Sequence, residues 1–266
     1  MGSLSSPASG EGAGHTDIVR LGTRARSLSK GGIDLEKMDV LVRRLEESLS
    51  GKEGRIVLLS TRYPFMAPCI MALFKLLVGK QGRTTFYIGA DRPQFYLKRL
   101  LMAHGVPIDN LKVIDVISGI SSEEPSRSGP NGVVYIRTPF CFDVLHDVIN
   151  HLEIMIKTAA PPPPGEDQAS AKDHIERMKG FLILDNLTVM ETYMDQDCMK
   201  TFITRLVDRM KGGKGCISII TMADPDLHPD LYALARSMTD EEIKIDQEWF
   251  GAKSPVARPA ARSRWG

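Results

Sequence analysis

The 266-residue chain has only four cysteines, Cys69, Cys141, Cys198 and Cys216. They form no C-x-x-C pair and have no histidine nearby at zinc-ligand spacing, which argues against a disulfide framework and for reduced thiols. Cys69, Cys141 and Cys216 sit among apolar residues, where a thiol behaves as a small core hydrophobe. Long apolar runs are missing too. The longest, Pro64 to Val78, is interrupted by Lys75; it is too short for a bilayer and reads as a helix buried on several sides. No basic segment followed by an apolar run opens the chain, so no signal peptide is expected and a cytoplasmic location is. Neither sign of charge dominates: 34 Lys+Arg against 33 Asp+Glu leave +1, with no overall steer toward nucleic acid or anionic lipid. The histidines His15, His104, His146, His151, His174 and His228 fall at no catalytic or zinc spacing and are read as structural or surface residues. The first apolar strand is followed by no glycine fingerprint, which disfavours a dinucleotide enzyme, and no G-x-S-x-G supports a serine hydrolase.

What is present is ordinary globular composition, 42% hydrophobic and 25% charged, in a length that suits one large domain or two small ones. Residues 1–31, rich in Ser and Gly, are expected to form a disordered arm. Asp34 stands in N-cap position for a helix over 34–49, with Leu35, Met38, Val42, Leu45 and Leu49 on one stripe. That stripe lies on the domain's flank or, since the spacing is also heptad spacing, forms a short oligomerisation seam.

From Arg55 onward strand and helix patterns alternate. Strands are expected at 55–60, 84–88, 111–115, 133–136, 180–185, 216–220 and 242–245. Helices are expected near 66–78, 91–104, 142–157, 199–210 and 231–235. Residues 117–132 read as a surface loop, and 159–171, with four consecutive prolines from Pro161 to Pro164, as an extended excursion. Such alternation calls for an α/β fold: a mostly parallel central sheet with helices on both faces, spanning 32–250. A basic tail, 251–266, follows; its ionisable side chains are Lys253, Arg258, Arg262 and Arg264.

The most informative stretch is Lys179 to Thr188, an apolar run ending in Asp185 and followed by Asn186. A central parallel strand reads this way when it carries an acid to the ligand edge of an α/β sheet. Together with Ile56–Ser60, Phe86–Pro93, Leu111–Ser118 and Cys216–Thr221, in this order, it resembles the RecA/KaiC-type ATPase superfamily over about Gly54 to Asp246. The resemblance implies a RecA-like fold, ATP and Mg2+ as cofactors, and Asp185 on the metal. It also implies a crevice lined by Thr61, Arg62, Tyr63, Asp91, Asp115, Asp185, Asn186 and Thr221.

The departures bear on the chemistry. After the first strand comes Thr61-Arg62-Tyr63-Pro64-Phe65-Met66-Ala67-Pro68-Cys69, with no glycine and no lysine. A Walker A loop cradles phosphate with successive backbone N–H groups and a lysine, and Pro64 and Pro68 each remove a donor. Cys69 is a poor magnesium ligand. Ala90-Asp91 stands where KaiC-type proteins bear two glutamates. The sequence reads as a degenerate member of the superfamily that does not hydrolyse nucleotide.

Each candidate also has a plain structural reading. Asp185 can hold its neighbouring loop, Arg62 can be a solvated cation or an anion contact, Tyr63 and Phe65 can fill the space of absent phosphates, and Asp91 can pair with Arg92. Three functions follow. The first is a non-hydrolysing regulatory or scaffold protein in signal transduction or transcriptional regulation, acting on a protein partner or by self-association. The second is an ATPase with an atypical phosphate site using Arg62 and Asp185. The third is an accessory DNA-repair protein of the RecA-paralogue kind, touching nucleic acid through its basic tail. Without a nucleotide-dependent ring, a monomer or dimer is expected, and membrane insertion is not.

Overall fold

The computed structural model describes residues 35–118, 127–129, 133–136, 142–159, 180–211 and 216–250. The expected 1–31 arm, the Pro-rich excursion beyond Ala159 and the 251–266 tail lie outside the described residues. The chain divides after Leu35, and everything described from Glu36 onward belongs to the second unit.

Helices are α1 (Leu35–Leu49), α2 (Tyr63–Phe74, running on as a π-helical turn over Lys75–Lys80), α3 (Gln94–Ala103), α4 (Phe142–Ala159), α5 (Leu187–Glu191), α6 (Gln196–Met210) and α7 (Pro229–Met238). Strands are β1 (Ile56–Thr61), β2 (Thr84–Gly89), β3 (Leu111–Asp115), β4 (Arg127–Gly129), β5 (Val133–Tyr135), β6 (Gly180–Asp185), β7 (Ile217–Ala223) and β8 (Glu241–Ile245). They form one sheet in the order β4-β5-β3-β2-β6-β7-β1-β8. Every pairing is parallel except β4 with β5. The strands β1, β6 and β7 are buried along their whole length, as strands covered on both faces must be.

Side chains alternate between the faces with period two. Val57, Leu59, Tyr87, Val113, Ile183 and Ile219 join α1, α2 and α3 in one core. Ile56, Leu58, Ile88, Ile114, Leu184 and Ile220 join α4, α5, α6 and α7 in the other. This is the α/β class expected, with helices on both faces of a mostly parallel sheet.

The flanking helix α1 packs on its own domain. Met38, Leu41, Leu45 and Leu49 are buried in the domain's own core, and Val42 packs partly against it. Each buried Leu contributes about 1.5–3 kcal/mol, and the described part of the stripe, from Met38 on, packs within the fold.

The expected loop between the first strand and a helix at 66–78 is absent. Arg62 alone separates β1 from α2. Pro64 starts the helix rather than breaking it, because the first-turn N–H groups have no partner inside the helix. The helical stretch Tyr63–Lys80 is therefore 18 residues, long and apolar enough by length and composition to cross a membrane, where the sequence reading made it too short. It serves as a core helix: Met66, Pro68 and every residue of 69–74 are buried. Two other elements depart from expectation. The short helix α5 directly follows Asn186, and β4 adds an antiparallel edge within the expected 117–132 loop.

Candidate functional site

Parallel pairing lines up the carboxyl ends of the strands. Gly89 is level with Asp115 on one side and Asp185 on the other. Thr61 is level with Ala223 and Ile245. Such an edge is where open α/β sheets bind ligands.

Asp185 is fully buried at this edge. Its Oδ2 accepts the Tyr87 hydroxyl at 2.5 Å, and its Oδ1 accepts the Thr221 hydroxyl at 3.0 Å. Arg92 lies with Nη1 3.9 Å from Oδ2 and Nη2 2.9 Å from Asp91. Burial raises the Asp185 pKa above its ordinary value, with the Arg92 charge and the Tyr87 bond pulling it back. Burial and the adjacent carboxylate also push the Tyr87 phenol well up, so Tyr87 remains a donor.

Asn186 follows through a cis peptide. Its Oδ1 accepts from the backbone of Thr188 at 3.2 Å and of Ala223 at 3.3 Å, which starts α5 and ties it to β7. Its Nδ2 is buried without a partner.

Asp115 is committed to local structure. It accepts the Gln94 N–H at 2.7 Å, the backbone of Ile117 at 3.1 Å and Ser118 at 2.8 Å, and the Ser118 hydroxyl at 2.7 Å. It therefore caps α3 and closes the turn after β3.

The third group surrounds Arg62. The Thr61 hydroxyl donates to the Ile245 carbonyl at 2.7 Å. Burial pushes the nearby Cys69 thiol to about 12, against a smaller pull from Thr61; it is an inert core group. The first N–H of α2, from Tyr63, donates to the Asp224 carboxylate at 3.1 Å. Asp224 follows β7 in the left-handed region, with φ of 44°. Arg62 and Lys244 share a cavity of about 440 Å³ with Asp224, Asp226 and Asp246. Three acids face two bases there.

Among the candidates, Asp185 and Thr221 are brought into direct contact, Asn186 follows Asp185 in the chain, and Asp91 reaches the cluster through Arg92. Thr61, Arg62 and Tyr63 lie across β7 from Asp185, and Asp115 lies across β2. Each is two strand spacings away, about 10 Å. Sequence reasoning missed Tyr87 and Asp224. For Tyr87 the signal was present: odd-numbered β2 residues share a face, and Tyr87 is the one among them with a phenol long enough to reach across to a neighbouring strand end. Asp224 had no such signal, because its role depends on which strand neighbours β1.

ATP and magnesium do not fit these residues. A triphosphate needs several backbone donors in a loop, and here a single residue precedes the helix, whose first donor faces a carboxylate. Both Asp185 oxygens accept protein hydroxyls. Among the described residues, no group of three or more His, Cys, Asp or Glu is placed to hold a metal ion.

No family model matches the chain, and neither does any curated protein. Solved structures do. One is an uncharacterized protein from Pyrococcus horikoshii in complex with an unknown peptide, with TM-score 0.57 and 10% identity, covering 76% of this chain and 82% of that one. Another is a KaiC-like protein from Pyrococcus horikoshii OT3, with TM-score 0.43 and 12% identity, covering 74% of each chain. The first is similar in fold, and the second is too distant to argue from.

Proposed function

We propose that this protein is a non-hydrolysing RecA-like regulator or scaffold, a degenerate member of the superfamily acting through a protein partner in cytoplasmic signalling or transcriptional control. One observation carries the reading: Arg62 alone separates β1 from α2, and the Asp224 carboxylate accepts the helix's first N–H. In an ATPase of this fold that position holds phosphate. Here an internal anion takes the helix terminus, favoured by the same dipole that would attract phosphate.

Asp185 supports the reading independently. In an ATPase it would hold magnesium; here it is the buried acceptor joining β2, β6 and β7 through Tyr87 and Thr221. The partner class agrees with the fold neighbour from Pyrococcus horikoshii, whose structure contains a peptide.

Purified protein assayed for phosphate release with ATP and magnesium tests the proposal. It predicts no turnover above that of a heat-denatured control. Sustained hydrolysis that requires magnesium and disappears in Asp185→Ala would overturn it.

A further inference from the structure

The cavity of about 440 Å³ beside Arg62 opens at the carboxyl ends of β7, β1 and β8, the edge at which open α/β sheets take ligands. Its volume suits a small organic molecule. Most polar side chains around it are already engaged. The Ser60 hydroxyl donates to the Glu242 carboxylate at 2.6 Å, and the Thr61 hydroxyl to the Ile245 carbonyl at 2.7 Å. Asp224 accepts the Tyr63 N–H at 3.1 Å, and Asp246 the Glu248 N–H at 2.9 Å. Lys244 lies 3.8 Å from the Glu242 carboxylate and 5.4 Å from the Tyr232 ring centroid. Two charges remain. Arg62 makes no side-chain cap bond to the helix it precedes. Among the described residues neither Arg62 nor Asp226 has a hydrogen bond or an ion pair, with each other or with a neighbour. Asp226 acts on Lys244 through its charge alone. Pro225 and Ile245 give the cavity an apolar side, and Leu227 beside them is 75% exposed.

We propose that this cavity binds a zwitterionic α-amino acid with an apolar side chain, its carboxylate on Arg62, its ammonium on Asp226 and its side chain against Leu227 and Pro225. A guanidinium fork matches a carboxylate with two parallel N–H bonds, and an aspartate carboxylate accepts from an ammonium. The uncommitted charges select the ligand: one cation and one anion call for a molecule carrying both signs. A simple carboxylate would meet Arg62 but also face Asp226, and a simple amine would meet Asp226 but also face Arg62; like charges so placed cost affinity. Three lining acids against two bases oppose a polyanion more strongly still. The proposal rests on the reading that phosphate is no longer held at this edge, and it gives the regulator a small-molecule signal.

The full chain is titrated calorimetrically with L-leucine, L-methionine and L-phenylalanine to about 10 mM, on the order of one hundred times a Kd of about 100 µM. Two analogues run beside them: 4-methylpentanoate, which lacks leucine's ammonium, and 3-methylbutylamine, which lacks its carboxylate. At least one amino acid is expected to bind and to raise Tm, and neither analogue is. Arg62→Ala and Asp226→Asn should each weaken binding at least tenfold. Unliganded melts of both variants should match the parent, because both side chains are exposed. No binding by any of the three amino acids, or binding unchanged in either variant, overturns the proposal. An analogue that binds as tightly as leucine also overturns it and reduces the site to a single-charge contact. ATP with magnesium is a separate arm. Binding there contradicts the nucleotide-free reading beneath the proposal, whereas silence of both ATP and the amino acids refutes the proposal alone.

Discussion

The carboxylate of Asp224 accepts the backbone N–H of Tyr63 at 3.1 Å, across 161 positions of sequence. It ties the end of β7 to the first turn of α2, which follows β1, the strand paired with β7. Asp224→Ala removes the acceptor and leaves a non-Gly residue at φ of 44° without a polar side chain. The expected loss is about 1–2 kcal/mol, read from urea unfolding. Asp224→Asn keeps an acceptor and tolerates the left-handed region, and should lose less than half as much. Equal losses for the two would show that the backbone conformation alone matters.

Asp185 predicts a pH dependence with a definite sign. Its folded pKa is raised above the ordinary value of 3.8, chiefly by burial. Folding therefore favours the protonated form more than the unfolded chain does. Its stabilising contribution is complete below the unfolded pKa and is lost as pH rises through the folded one. Asp185→Asn mimics the neutral form. The difference in Tm, variant minus parent, should therefore grow more positive from about pH 3 to about pH 6. A difference that falls over this interval would mean that Arg92 outweighs desolvation.

Gly89 and Tyr87 are coupled by space. A Cβ on Gly89 would lie 2.6 Å from the Tyr87 ring edge, and that ring is buried. Gly89→Ala must displace the ring and with it the hydroxyl bonded to Asp185. The expected cost is about 1–3 kcal/mol. Tyr87→Phe leaves one Asp185 oxygen without its donor, at about 1–3 kcal/mol. Because both act on one contact, the double variant should fall short of the sum in a double-mutant cycle. Strict additivity would deny the coupling.

The α1 stripe predicts stability without assembly. Leu45 is fully buried, so Leu45→Ala should cost about 2–5 kcal/mol. Light scattering of the native variant should give the parent's mass. A change of mass with little loss of stability would revive the seam.

The alternation of strand and helix was readable because buried parallel strands are apolar throughout and amphipathic helices repeat every three to four residues. The residues of β6 announced both the strand and its terminal acid. The start of α2 was not legible. Pro64 and Pro68 look like loop residues in sequence, and only the geometry shows Pro64 at a first-turn position where it is tolerated. The buried surroundings of Asp185 were legible in part: Tyr87 lies on the right face of β2, yet its pairing needed β2 and β6 to be neighbours. Asp224 and the cavity beside Arg62 depend on three-dimensional adjacency, which leaves no local pattern.

The central claim is that the carboxyl edge of β1 no longer holds nucleotide. Thermal unfolding with and without ATP and magnesium tests it most directly, because a ligand that binds only the folded state must raise Tm, by about 2.7 kcal/mol of stability at one hundred times its Kd. With ATP near 5 mM, far above a nucleotide site of about 50 µM Kd, the expected result is an unchanged Tm. An upward shift that needs magnesium and is lost in Arg62→Ala would contradict it.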